Sequence, residues 1–145
     1  MIIFKKYLES VIEKSISFEN LSKEETETIS LFYQHLKKTT KNKDFNENLF
    51  FQFEKKFSDC FTQIVQNCIY CNTEIETGET PFYGLCKNGH YIERCSFTLS
   101  VLKEKNIYSC RICSSRYNKI ENKSHLFISS LYKTKNCIFC DNKLN

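Results

Sequence analysis

The stretch Cys86-Lys87-Asn88-Gly89-His90-Tyr91-Ile92-Glu93-Arg94-Cys95 lies at the centre of a cysteine-rich second half of the chain. A Cys-x2-Cys pair precedes it and two follow it. A Cys-x2-Cys turn brings two sulfurs to one metal ion, and structural zinc takes four Cys or His ligands. The sequence therefore predicts two structural zinc ions. Nine residues are candidate ligands: Cys68, Cys71, Cys86, His90, Cys95, Cys110, Cys113, Cys137 and Cys140.

The ligands can be shared between two ions in two ways. In an interleaved arrangement the first pair joins the third ligand group, and the central group joins the last pair. In a sequential arrangement Cys68, Cys71, His90 and Cys95 hold one ion, and the two downstream pairs hold the other. Spacing leaves both open. We favour interleaving, because it cross-links more of a chain that has little apolar sequence of its own.

Metal binding is favoured over disulfides. The chain begins Met1-Ile2-Ile3-Phe4-Lys5-Lys6, without a secretory signal pattern, and no stretch approaches membrane-spanning length. We therefore expect an intracellular protein, whose compartment disfavours disulfides. Cys60 stands apart from the other cysteines on an apolar helical stripe, and we expect it to be a small buried hydrophobe.

The pattern predicts a small α+β protein with a helical arm over residues 1–67 and a two-zinc domain over residues 68–145. Apolar residues recur at helical spacing over 1–18. Capping boxes at Ser22/Glu25 and Asp44/Glu47 predict two more helices, the second ending near Thr40 and the third running to Val65. The aromatic stripe of the third helix is expected to form core, with a docking face as the alternative.

The zinc domain combines short strands with metal-binding turns. Residues 75–83 read as two strands about a turn at Thr77-Gly78, and residues 96–105 as a helix. Gly84 and Gly89 flank Cys86, where a tight loop favours glycine. This order of elements is typical of treble-clef and RING-like zinc folds. Without metal this part of the chain should be disordered.

The charge pattern gives a weak indication of DNA contact. The formal charge of +4 falls in the second half, but metal-bound thiolates offset most of it. Aromatic residues at Tyr117, Phe127 and Tyr132 are interleaved with a local basic run, which suits phosphate contact and base stacking. The run is Arg116, Lys119, Lys123, Lys133 and Lys135. The simpler interpretation, which we favour, is a short solvent-exposed helix around Leu126, Ile128 and Leu131 with the aromatic residues packed on the zinc core. His125 would lie on this helix and is a minor ligand candidate.

Catalytic residues are not expected. Four protein ligands per ion leave no open position, and the chain has no His-Glu-x2-His motif, phosphate-binding glycine loop or nucleophile motif. We therefore expect a non-enzymatic protein without a small-molecule substrate.

The central block also carries a family resemblance. Its pattern, Cys86-x2-Gly89-His90-x3-Arg94-Cys95-x2-Thr98, with the Cys-x2-Cys pairs around it, resembles the zinc-finger domain of transcription factor IIIC subunits over residues 68–145. The resemblance implies a nuclear role in RNA polymerase III transcription, with other subunits as partners and with protein–protein or protein–DNA contacts. In that family the finger typically follows a β-propeller, whereas here helices precede it.

The main alternative is a RING-type ubiquitin ligase, although the spacing from Cys86 through His90 to Cys95 is longer than in a typical RING. As contact surface for partners, Phe97, Leu99 and the aromatic third helix are the candidates.

Overall fold

The protein is a small α+β structure, seen in a computed structural model that describes residues 2–39, 46–77, 81–119 and 135–145. The described residues begin with three helices: α1 (Ile2–Ile16), α2 (Lys23–Thr39) and α3 (Glu47–Phe57). Short strands follow: β1 (Ile75–Thr77), β2 (Tyr83–Cys86), β3 (Tyr91–Glu93), β4 (Ile107–Ser109) and β5 (Arg116–Asn118). This confirms the predicted fold class. None of the described helices is long and apolar enough to cross a membrane.

The helix starts follow from their caps. At α2 the predicted capping box is confirmed: the Glu25 N–H donates to Ser22 Oγ at 3.2 Å, and the Ser22 N–H donates to Glu25 Oε1 at 3.3 Å. At α3 the N-cap is Asn46, whose side chain accepts the Leu49 N–H. The predicted box starting at Asp44 is therefore wrong by two positions, and Asp44 lies outside the described residues.

Helix α3 ends at Phe57, not at Val65 as the stripe predicts. The chain turns after Phe57 so that Phe61 stacks on Tyr33 of α2, with ring centroids 3.9 Å apart. Beyond it, the Gln34 side chain of α2 accepts the Ile64 N–H at 2.8 Å and donates to the Ile64 carbonyl at 3.3 Å. A helix would have satisfied these backbone groups itself, but α2 satisfies them instead. Residues 61–66 can therefore lie in an irregular conformation along α2.

Two antiparallel sheets follow. Strands β1, β2 and β3 form the first in sequence order, and β4 and β5 form the second. Strands β1 and β2 form a hairpin, as predicted, with Ile75 opposite Cys86. The predicted bounds were wrong, because β2 begins at Tyr83, where the second strand was expected to end, and the connection is longer than a turn at Thr77-Gly78. Residues 78–80 of this connection lie outside the described residues. Strand β3 was not predicted. It pairs with β2 so that Leu85 lies opposite Tyr91, on either side of the Cys86–His90 loop.

The predicted helix over residues 96–105 is wrong. The Cys95 N–H donates to the Ser100 carbonyl, and the Leu99 N–H donates to the Cys95 carbonyl. Leu99 has a φ of 58° and Arg94 pairs with Val101, so this segment is a tight hairpin. Its apolar residues are spaced as on a helix, but they pack into the protein from a turn, which periodicity does not distinguish.

One buried cluster joins the helices to the second half. It contains Leu8, Ile12, Ile29, Phe32, Phe53 and Phe57 together with Cys95, Phe97, Leu99, Tyr117 and Cys137. The aromatic stripe of α3 thus contributes core, as expected. Phe97 and Leu99 are almost fully buried, so proposing them as a contact surface was wrong. Cys60 is exposed, because α3 ends before it, so its expected burial was wrong as well. The division at residues 67/68 stays a prediction.

Candidate metal centre

Eight of the nine candidate ligands form two groups. Site 1 contains Cys68, Cys71, Cys86 and His90, and site 2 contains Cys110, Cys113, Cys137 and Cys140. Within each group, all four ligand atoms lie within 4.8 Å of one another. All nine cysteines are free thiols. The described residues contain no other group of this kind.

The geometry of site 1 fits zinc. A hairpin that precedes β1 and is closed by the Asn67–Glu74 bridge supplies Cys68 and Cys71, and the β2–β3 loop supplies Cys86 and His90. Cys71 Sγ lies 3.6 Å from Cys86 Sγ. The Nδ1 atom of His90 lies 3.6 Å from Cys68 Sγ and 3.4 Å from Cys86 Sγ. Tetrahedral zinc, with Zn–S near 2.3 Å, separates its ligand atoms by about 3.5–3.8 Å. These three separations therefore match a zinc ion held by three cysteines and one histidine.

Site 2 fits zinc equally well. The β4–β5 hairpin supplies Cys110 and Cys113, and the C-terminal hairpin supplies Cys137 and Cys140. The Sγ atoms of Cys110 and Cys140 are 3.4 Å apart, and those of Cys113 and Cys137 are 3.3 Å apart. A disulfide would need about 2 Å. This is the geometry of a zinc site with four cysteine ligands.

Hydrogen bonds to the sulfurs favour the thiolates that zinc needs, although burial outweighs them at Cys68 and Cys113 and raises the pKa of both thiols. In site 1 the Thr73 hydroxyl lies 3.1 Å from Cys71 Sγ, and this bond lowers the pKa of Cys71 to about 5. The thiols of Cys71 and Cys86 in turn raise the pKa of His90. The backbone N–H groups of Tyr70 and His90 donate to Cys68 Sγ and Cys86 Sγ. Donors beyond the ligands hold such a site in its binding geometry.

Tyr117 supports site 2, a role the sequence did not reveal. Its hydroxyl lies 3.2 Å from Cys137 Sγ and accepts the Ile138 N–H, and the Ser115 hydroxyl lies 3.1 Å from the same sulfur. Burial raises the pKa of Cys137, but bonds from Ser115 and Tyr117 outweigh it and lower the pKa to about 6. Burial also raises the pKa of Tyr117, which keeps its proton in place. Tyr117 is fully buried in the core cluster, so it packs on the zinc core, as the simpler interpretation expected, and does not stack on DNA bases.

The structure explains the presence of two glycines and an arginine in and beside the central block. Gly89 has a φ of +81° in the Cys86–His90 loop, a conformation that glycine adopts without strain. A Cβ on Gly84 would lie 2.8 Å from the Glu76 carbonyl oxygen and 3.1 Å from Arg94 Nη1. Arg94 passes beneath the first sheet, donating from Nε to Gln66 and from Nη1 to the Tyr83 carbonyl, each at 2.7 Å.

Cys95, the ninth candidate, lies in a hairpin that resembles the metal-binding ones. In the hairpins that begin at Cys68, Cys95, Cys110 and Cys137, the first cysteine's N–H donates to the carbonyl five residues later. The residue four positions after that cysteine has a φ of 58–61° in each. Only the Cys95 hairpin has Thr98 where the others have a second cysteine.

In the Cys95 hairpin a contact between two hydroxyl groups replaces the sulfur–hydroxyl contact of the metal-binding hairpins. Thr98 Oγ1 lies 2.7 Å from Ser100 Oγ, as the second sulfur lies 3.1 Å from a hydroxyl in the Cys68 and Cys110 hairpins. Cys95 Sγ accepts the N–H groups of Thr98 and Asn118. Cys95 is fully buried and belongs to neither group, so it is a structural thiol.

The ligands therefore pair sequentially, and the preference for interleaving was wrong. The sequential alternative also needs a correction, because Cys86 and not Cys95 joins His90 in site 1. Strand pairing explains this grouping. The β2–β3 pairing places Cys86 and His90 beside each other, and the β1–β2 pairing places them next to the hairpin that contains Cys68 and Cys71.

Two of the described basic residues proposed for DNA contact have partners within the protein. Arg116 pairs with Glu93 at 2.8 Å, and the Lys119 ammonium lies 4.8 Å from the Tyr108 ring centroid. Lys135 is exposed beside the C-terminal hairpin. Lys123, Lys133, Phe127, Tyr132 and the helix expected around Leu126 and His125 lie outside the described residues.

Residues 55–144 match the zinc-finger family of the transcription factor IIIC complex. The match covers most of the chain, including every ligand of both sites and the whole central block. The chain belongs to this family. This confirms the resemblance seen in the sequence. No curated protein matches the chain.

Membership of a zinc-finger family and the two donor sets together identify two structural zinc sites. Bound zinc supplies folding free energy by fixing distant hairpins to each other. The protein's own residues support the sites in two ways. Hydroxyl and N–H donors orient the sulfurs. Next to site 2, Phe82 packs edge-on against Phe139, with 5.3 Å between the ring centroids. Each site already has four protein ligands.

Proposed function

We propose that this protein is a non-enzymatic, zinc-stabilised protein-interaction module of the transcription factor IIIC complex, acting in the nucleus in RNA polymerase III transcription. Membership of the zinc-finger family supports the complex. The closed ligand sets support a structural role for the metal, because a hydrolytic zinc needs a position open to water or substrate.

The observation that carries the interaction role is an exposed aromatic face on the first sheet. Tyr83 and Leu85 of β2 and Tyr91 of β3 point away from the buried side, with exposed fractions of 40%, 53% and 60%. The Tyr83 and Tyr91 rings stack on each other, 5.1 Å between centroids. Clustered exposed aromatic and aliphatic side chains are typical of protein interfaces. We call these three residues the aromatic face.

Zinc site 1 makes this face rigid. Cys86 ends β2 and His90 immediately precedes β3, so the metal joins the two strands that carry the face. On the buried side, Ile75 and Ile92 pack with Cys86. A preorganised face loses little side-chain and backbone entropy on binding.

Affinity purification tests the role. Epitope-tagged protein should retrieve other subunits of transcription factor IIIC, identified by mass spectrometry, and the variant Tyr83→Ser/Tyr91→Ser should lose most of that yield. The matched control is Phe51→Ser, which removes an exposed aromatic side chain from α3. If the wild type retrieves none of these subunits, its proposed membership of the complex is refuted. An equal loss of yield in both variants would refute the proposal that the aromatic face binds the partner.

The alternatives have less support. A RING ligase relies on interleaved ligands, whereas these ligands pair sequentially; autoubiquitination with purified components tests that reading. Direct DNA contact would use basic residues of which Arg116 is already paired with Glu93. A salt-dependent binding assay on a tRNA-gene promoter tests it, because phosphate contacts weaken steeply with salt.

A further inference from the structure

A polar cavity lies between α2 and the edge of the first sheet. Its volume is about 350 Å³, the lower end of the range for small-ligand pockets. Helix α2 contributes Gln34, His35 and Lys38, and the opposite wall includes Glu74, Glu76 and Arg94. The cavity is separate from both zinc sites, whose ligands do not line it.

Arg94 is the unusual member of this wall. Its side chain is 2% exposed, and two of its N–H groups donate to Gln66 Oε1 and to the Tyr83 carbonyl. A guanidinium carries five N–H donors, so three remain without an acceptor among the described residues. No described carboxylate pairs with it, since the described residues contain one ion pair, between Arg116 and Glu93.

A buried cation without a counter-charge is costly, and water relieves only part of that cost. Burial already lowers the pKa of Arg94, although arginine stays charged in proteins. Water in the cavity can accept the spare N–H groups, but it cannot neutralise the charge. A carboxylate or similar oxyanion does both, through parallel N–H···O bonds.

Lys38 adds a second cation to the same cavity. Its ammonium is exposed and forms no ion pair with a described carboxylate. Arg94, Lys38 and His35 all line the cavity, and the charges of Arg94 and Lys38 add to burial in lowering the pKa of His35. Glu74 and Glu76 are exposed residues of the opposite wall. Their charges repel a polyanion such as a nucleic-acid backbone more strongly than a single carboxylate, because the repulsion grows with the charge of the ligand.

We infer that this cavity binds one carboxylate or comparable oxyanion group, held by Arg94 at its base and by Lys38 at its mouth. The group can come from a free small anion or from an acidic side chain of a partner protein. The inference does not depend on the aromatic face or on membership of a particular complex.

Titration by nuclear magnetic resonance tests the inference on the full, zinc-loaded chain. The buried Arg94 Nε–H gives a side-chain signal that is assigned by its loss in the variant Arg94→Lys. Two probes are added separately: sodium acetate, and a capped Gly-Glu-Gly peptide whose one charge is its side-chain carboxylate. Sodium chloride at equal ionic strength is the reference.

We expect saturable shifts of the Arg94 Nε–H signal and of the amides of residues 34–38 with at least one probe. Lys38→Ala should weaken binding by about fivefold, the upper end of a partly exposed ion pair. The matched control, Lys37→Ala, removes a neighbouring exposed cation that lies over the Tyr33 ring and does not line the cavity; it should leave the affinity unchanged.

The outcomes separate clearly. Tighter binding of the peptide assigns the site to a protein side chain, and tighter binding of acetate assigns it to a free anion. Shifts no larger than those of chloride, or equal effects of Lys38→Ala and Lys37→Ala, would overturn the inference.

Discussion

Cys95 shows at the residue scale how a metal-binding turn can exist without metal. Its hairpin has the backbone hydrogen bonds of the three Cys-x2-Cys hairpins, and the Thr98 and Ser100 hydroxyls bond to each other where a second ligand would stand. The sulfur accepts two backbone N–H groups inside the core. The residue therefore contributes to stability and not to metal binding.

Replacing Cys95 should leave the zinc content unchanged. We expect Cys95→Ala to retain two zinc ions in native mass spectrometry with a competing chelator, and to lose about 1–3 kcal/mol of unfolding free energy in urea, because two buried N–H groups lose their acceptor. Under the same chelator Cys86→Ala should retain one ion. Loss of an ion from Cys95→Ala would mean that Cys95 is a ligand.

The residue types of the sites could be read from the sequence, but their roles only in part. Each Cys-x2-Cys pair is a local hairpin, so spacing alone predicts it. Cys95 has the same local hairpin, but Thr98 stands where the other hairpins have a second cysteine, and the Cys95 sulfur accepts the N–H groups of Thr98 and Asn118. Packing of Tyr117 on the zinc core was the simpler interpretation of the sequence, but its contact with Cys137 joins residues twenty apart in sequence, and no local pattern predicts it.

At the scale of elements, α2 holds together parts of the chain that are distant in sequence. Gln34 binds the backbone of Ile64, and Ser30 Oγ accepts the Thr62 N–H. Tyr33 stacks on Phe61 and donates to Glu54 of α3 at 2.7 Å. His35 follows on the same helix, buried at the cavity beside the first sheet.

His35 should make folding sensitive to mild acid. Burial, then the charges of Arg94 and Lys38, lower its pKa to about 4 from an ordinary value of 6.5. Because the folded pKa is the lower one, the stability that His35 contributes is complete above the unfolded pKa and is lost as the pH falls toward 4. The wild type should lose about 1 kcal/mol more than His35→Gln between pH 7 and pH 5.5.

Urea unfolding of both proteins at several pH values measures this difference. Protonation of zinc ligands contributes to both curves, so the difference between the proteins isolates His35. Parallel curves would contradict the assignment of a neutral, buried imidazole.

Helix starts were predictable and irregular ends were not. The Ser22/Glu25 box is local and its hydrogen bonds form as expected. The end of α3 depends on α2: Gln34 bonds to the Ile64 backbone and Tyr33 stacks on Phe61, in a segment that would otherwise continue the helix. Likewise the apolar residues after Cys95 follow a helical period, but they belong to a hairpin whose backbone pairs Arg94 with Val101. Contacts between distant segments override local propensity in both cases.

At the scale of the whole molecule, metal and core connect different parts. The buried cluster joins the three helices to the Cys95 hairpin, to β5 and to Cys137. The zinc sites fix pairs of hairpins, and the Arg116–Glu93 ion pair spans the two sheets. The composition indicated a chain that depends on metal, but the packing of the helices against the hairpins could not be read from local patterns.

The pairing of hairpins was the part of the fold least accessible from sequence. Interleaved and sequential sites use the same ligand types at the same spacing, and the choice depends on which hairpins meet in space. The β2–β3 pairing settles it, and β3 has only three residues, Tyr91–Glu93. Such a short strand carries almost no periodic signal.

The central claim is that two zinc ions bind in sequential groups, and native mass spectrometry of two double variants tests it most directly. Cys68→Ala/Cys86→Ala removes two ligands of site 1, whereas Cys68→Ala/Cys110→Ala removes one ligand from each site. With a competing chelator, the wild type should carry two zinc ions, the first variant one and the second none. One ion in the second variant and none in the first would show interleaved sites and contradict the account.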